Sequence, residues 1–121
     1  MAQPNIREAS SGATGGTTAK PKVAVVYTRP ETVLEDIGRA MRLADYQTHL
    51  PVDIPTLLKI NISWQHYYPA CSTTPWQLDG VIGALKRDGY DHLIPTHNGT
   101  VVVDAREGEG SNKHKGVQEK H

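Results

Sequence analysis

The sequence predicts an α/β domain, a small open and mostly parallel sheet of three to four strands with two to three helices. Three observations carry this. Short β-branched runs alternate with segments of 3.6-residue apolar period. The best-marked helix stands between two such runs. The 121 residues are enough for one ordinary domain. Parallel strands joined this way take right-handed crossovers.

Residues 1–21 are Ser-, Gly- and Thr-rich with almost nothing to bury, and are expected to be a disordered leader. The α/β domain is expected over residues 22–104. It opens with residues 22–27 (Lys-Val-Ala-Val-Val-Tyr), an apolar run that predicts a buried, central strand. A helix should follow over residues 31–44. Val33, Ile37, Ala40, Met41 and Ala44 share one face, and Glu35, Asp36, Arg39 and Arg42 face water. Residues 56–62 alternate as a strand, with Leu58, Ile60 and Ile62 on one side and Leu57, Lys59 and Asn61 on the other. The second helix carries its own punctuation. Thr74 is its cap, Pro75 takes the first helical position, and Gln77 has capping-box spacing. Leu78, Val81, Ile82 and Leu85 form its stripe, and Gly89 stops it. Residues 92–97 predict a third strand, with Pro95 arguing for an edge position. Residues 100–104 suit a short fourth strand or a loop packed on the sheet. Residues 105–121 show no apolar face and read as a polar tail or a truncated continuation, in which His114 and His121 are expected to be solvated. So few elements cover such a sheet poorly, which points to an incomplete larger domain or a core completed by association.

Composition narrows the function. Lys plus Arg and Asp plus Glu both number 13, so no basic excess points to nucleic acid. No run approaches the 18 or so apolar residues of a membrane span, and the first residues lack a secretory apolar core. One cysteine excludes an internal disulfide and any iron–sulfur cluster built from this chain alone. A cytoplasmic protein is the expectation.

In open α/β sheets, ligands gather beyond the carboxyl ends of the strands. Lys59 and Asn61 end the second strand, Ser72, Thr73 and Thr74 precede the second helix, and His97 and Asn98 leave the third strand. A helix start carries roughly half a positive charge, and Lys59 adds a full one. These residues predict a site for a small anionic ligand, phosphate or carboxylate. His97 is the candidate for acid–base work because an imidazole titrates near neutral pH. Plainer roles fit the same residues: Lys59 can snorkel from an edge, Asn61 can turn the chain, and Thr74 can serve as a cap alone. Cys71 suits a small hydrophobe better than a nucleophile. His66, Cys71 and His97 offer a weaker alternative, a metal-assisted enzyme. A non-enzymatic accessory domain or homo-oligomer that completes its core with a partner is the other. Whether the chain is an enzyme, and with what cofactor, stays open.

Four stretches carry a resemblance to a family: the apolar run Val23 to Tyr27, Leu-Leu-Lys-Ile-Asn at 57–61, Ser-Thr-Thr-Pro at 72–75, and Gly-Tyr-Asp-His-Leu-Ile at 89–94. From Lys22 onward the chain resembles the N-terminal part of the domain-of-unknown-function-362 family. Many members read Lys-Pro-Asn where this chain has Lys59, Ile60 and Asn61, so Lys and Asn are kept and Pro is lost. The resemblance implies a bacterial or archaeal protein of which this would be one portion, since members are generally longer. Some members carry ferredoxin-like cysteine motifs. Cys71 alone cannot supply one, so no iron–sulfur role carries over.

Overall fold

The structure is a computed structural model and describes residues 20, 22–68, 70–101 and 103–121. Its elements in chain order are α1 (Val33–Leu43), the single turn α2 (Tyr46–His49), β1 (Thr56–Lys59), α3 (Pro75–Arg87), β2 (Leu93–Thr96), α4 (Ala105–Ser111) and α5 (His114–Lys120). β1 and β2 form a two-stranded parallel sheet, Thr56 opposite Leu93 through Lys59 opposite Thr96. α3 is the crossover between them. The chain is of the mixed α/β class.

α3 organises the core. Its stripe meets the inner face of β1, so that Leu78, Ile82, Ile60, Ile62 and Val103 close on one another, with Leu58, Leu93 and Val117 packed against them. The helix ends in a Schellman motif. Gly89, at φ +92°, gives its amide to Lys86, and the Tyr90 amide reaches back to Leu85 at 3.0 Å. Glycine takes that left-handed conformation without the clash a Cβ would bring. Tyr90 is then buried, and its hydroxyl donates to the Leu50 carbonyl at 2.7 Å.

α1 packs along α3. The approach is close at Gly80, where a Cβ would stand 2.7 Å from Cδ1 of Ile37. Asp36, expected in water, is buried. It accepts from the Thr32 hydroxyl at 2.6 Å and faces Arg39 at 3.6 Å, while Glu35 of the same turn stays exposed. At the other end of the pair, Arg42 and the Tyr46 hydroxyl both donate to Asp88, at 2.9 and 2.6 Å.

Three expectations are corrected. Residues 22–27 form no strand. They carry no regular structure and leave Val23, Val25 and Tyr27 in solvent. A β-prone run becomes a strand only where a neighbour accepts its hydrogen bonds, and among the described residues none pairs with it. The fourth strand shrinks to one antiparallel bridge between Thr100 and Val103, so among the described residues the sheet has two strands rather than three or four. Finally, residues 105–121 are not a polar tail. Asp104 caps α4 by accepting the Glu107 amide at 2.9 Å, and α5 returns along α3. Asn112 and His114 lie fully inside. The end is fastened by Asp79, which accepts from Lys120 and faces Nε2 of His121 at 2.6 Å. Neither His114 nor His121 is solvated. The expected leader lies outside the described residues apart from Lys20.

Candidate functional site

Thr56 gives its amide to His92, just before β2, and Ile60 gives its amide to Thr96 at the end of β2, each at 2.8 Å. Alternate residues of a strand aim their backbone groups to opposite sides, so Leu57 and Lys59 aim theirs away from β2. No strand of the described residues meets that side. Along this free edge, between β1 and the first two turns of α3, runs a groove of about 250 Å³. Leu57, Leu58 and Ile60 form one wall, Leu78 and Val81 the other, and Lys59, Thr73 and Gln77 supply its polar groups.

Local folding explains why these residues meet. A clasp ties the end of β1 to the approach to α3. The Asn61 amide donates to Oγ1 of Thr73 at 3.1 Å, and the Thr73 amide returns to the Asn61 carbonyl at 2.9 Å. The Ser63 amide donates to Oγ of Ser72 at 3.1 Å, and Nδ2 of Asn61 to Oγ of Ser63 at 2.7 Å. Buried His114 holds the clasp from below, its Nε2 2.5 Å from the Thr73 carbonyl. The hydroxyls of Ser72 and Thr73 accept in these bonds and so retain their own O–H for donation. Lys59 has no carboxylate partner among the described residues. Its ammonium donates to the Ile60 carbonyl at 2.9 Å. The Thr74 side chain does not cap α3, so the hydroxyl expected to satisfy the first amides is turned elsewhere.

The sequence-derived set is therefore split. Lys59 and Thr73 line the groove, and Asn61 and Ser72 build the clasp beside it. Thr74 marks the helix boundary. Asn98 is exposed, outside the groove lining. His97 leaves β2 toward α4, where its Nε2 is 3.8 Å from Glu109, and its Nδ1 is buried without a partner. It is not part of the lining of the groove that holds Lys59 and Thr73. His66, Cys71 and His97 do not assemble as a metal centre: no cluster of three or more His, Cys, Asp or Glu side chains suited to a metal occurs among the described residues. Cys71 is exposed rather than buried, and His66 packs edge-on against Trp64 at 6.0 Å.

Gln77 is the groove residue that sequence reasoning used only as a capping element. Its first-turn position in α3, four residues after Thr73, was the available signal. Asn112, which anchors the segment between β1 and α3 through the Trp64 carbonyl at 2.9 Å, gave no signal, since a buried amide looks like a surface one in sequence. Among the described residues no helix is long and apolar enough to cross a membrane. Comparison with protein-family models, with curated proteins and with solved structures finds no match.

Proposed function

We propose that the chain is a binding module that takes an extended, carboxylate-ended segment into the groove between β1 and α3. One observation carries the reading: among the described residues, a strand edge with no neighbouring strand, an apolar wall and a Lys59 with no carboxylate partner lie in a single groove. A segment added parallel to β1 would hydrogen-bond to Leu57 and Lys59, as in strand-addition recognition generally. Its apolar side chains would lie on Leu78 and Val81. Parallel addition points its C-terminus to the carboxyl edge of the sheet, toward Lys59, the Thr73 hydroxyl and the start of α3. The small-anion reading of Lys59, Asn61, Ser72 and Thr73 is thus kept for the ligand's charged end, and Asn61 and Ser72 orient the cradle. The resemblance to the domain-of-unknown-function-362 family, the cytoplasmic setting and a longer parent protein are held as parts of the same proposal.

The test is a short peptide such as acetyl-Val-Thr-Val-Val, compared as free acid and C-terminal amide by calorimetric titration. The free acid should bind at least ~10-fold more tightly, the effect of one charge-assisted contact. Lys59→Ala should erase that preference while leaving the melt unchanged. Equal binding of acid and amide, or a preference that survives Lys59→Ala, refutes the reading.

A second reading is favoured by a different observation. Val23, Val25 and Tyr27 are exposed, and so are Leu57 and Ile94, neighbours on the open face of the sheet. A second copy would cover this surface, and zero net charge sets up no repulsion between copies. A melting temperature that rises with protein concentration supports it. A monomer whose melt is independent of concentration removes it.

A further inference from the structure

A larger hollow, about 480 Å³, lies where α1 and α3 begin, and it shares no residue with the β1 groove. Thr28, Arg29, Pro30, Val33 and Trp76 line it. Val33 is the first residue of α1 and Trp76 the second of α3, so packing α1 along α3 brings both helix starts to one place. Its chemistry is specific. The Trp76 indole, nearly half exposed, and the Pro30 ring offer flat apolar surfaces, and Val33 adds a branched one. Arg29 forms no ion pair with any carboxylate among the described residues, although carboxylates elsewhere in the fold are paired: Asp36 with Arg39, Asp88 with Arg42 and Asp79 with Lys120.

We infer that this hollow binds a planar aromatic monocarboxylate. The ring lies against Trp76 and Pro30, where stacking and apolar burial act together. The carboxylate meets the planar fork of Arg29, which matches a two-oxygen acceptor through paired N–H donors. The two helix starts add a weaker positive field. Glu31 and Glu35 follow closely in the chain, and their charges disfavour a polyanion such as phosphate. A single negative charge held at short range by Arg29 tolerates them better. The volume falls within the range of small-molecule sites.

The experiment uses the full chain, ¹⁵N-labelled, titrated with benzoate, with its neutral isostere benzamide, and with acetate. Benzoate should shift the Trp76 indole N–H and the Arg29 amide along one binding curve. Benzamide should need at least ~10-fold more ligand, the effect of losing a charged hydrogen-bond pair. Acetate should leave the indole unshifted. Arg29→Gln should bring benzoate to the benzamide level, and Arg29→Lys should recover only part because a fork is replaced by a point charge. Trp76→Leu should weaken benzoate and benzamide together. Lys59→Ala should change nothing, which separates this site from the groove. Unchanged dispersion of the remaining signals checks the fold of each variant. Benzoate and benzamide binding alike, an unshifted indole at saturating benzoate, or full binding by Arg29→Gln overturns the inference.

Discussion

Truncating Asn112 tests whether residues 105–121 belong to the folded body. Its side chain is 2% exposed, and Nδ2 donates to the Trp64 and Gly108 carbonyls, each at 2.9 Å. In Asn112→Ala the Gly108 carbonyl keeps the helical amide of residue 112, also at 2.9 Å, so one acceptor, that of Trp64, loses its partner. An orphaned acceptor costs about 1–3 kcal/mol, and removing a small buried side chain adds roughly 1 kcal/mol of packing. A loss of about 2–4 kcal/mol follows, equivalent to roughly 8–16 °C in Tm at about 4 °C per kcal/mol for a domain this size. Asn112→Asp should be worse at neutral pH despite its equal shape, because a carboxylate would face carbonyl oxygens in place of an N–H donor. Urea unfolding of the three proteins gives the energies. Trypsin supplies the local readout, since Arg106, Lys113 and Lys115 should be protected in the wild type and cut faster in Asn112→Ala. A loss below about 0.5 kcal/mol, the scale of surface substitutions, together with unchanged cleavage, would refute the buried placement of this segment.

Acid sensitivity should centre on two aspartates. Hydrogen bonding from Tyr46, joined by Arg42, holds the Asp88 carboxyl below its ordinary value of 3.8. The same is true of Asp79, where burial works against the bonds from Lys120 and His121 and those bonds prevail. A carboxyl whose folded pKa is depressed adds stability above its unfolded pKa, and loses it as pH falls through the folded one. Unfolding free energies measured from pH 6 down to 2 should decline below about pH 4. Asp88→Asn or Asp79→Asn should flatten that decline, and an unaltered slope in both would contradict the pairing. At Gly80, alanine should destabilise by about 1–2 kcal/mol despite its better helix propensity, because the new Cβ meets Ile37. Adding Ile37→Val, which removes Cδ1, should return part of the loss in a double-mutant cycle. Simple additivity would mean that the two helices are not in contact there.

Much of the fold was legible because its signals are local. The α3 limits follow from Thr74, Pro75 and Gly89, and its buried stripe from the spacing of Leu78, Ile82 and Leu85. The inward face of residues 56–62 follows from their alternation, and Pro95 does sit on an edge strand. The α4 start was also present, as Asp104 with Glu107 three residues on, although no apolar face accompanied it. A helix that packs through Gly108, a backbone position where a Cβ would stand 2.8 Å from Ile62, leaves no hydrophobic period to read.

Tertiary structure decided the rest. The composition of residues 22–27 specifies a chain that prefers to be extended, but pairing depends on an edge in reach, which no local pattern encodes. His114 and Asn112 are polar residues whose burial is stabilised by carbonyls 41 and 48 residues away, at Thr73 and Trp64. The groove arises because the clasp of Asn61 with Thr73 sets the spacing between β1 and α3, and the hollow arises because α1 lies along α3 and brings Arg29 to Trp76. Periodicity, caps and turns act within a few residues, so local sequence set the limits of α3 and the inward faces of α3 and of residues 56–62, but not the fate of residues 22–27 or 105–121. Cavities, ion pairs and free edges depend on distances between segments far apart in the chain, and those distances exist only once the helices have packed.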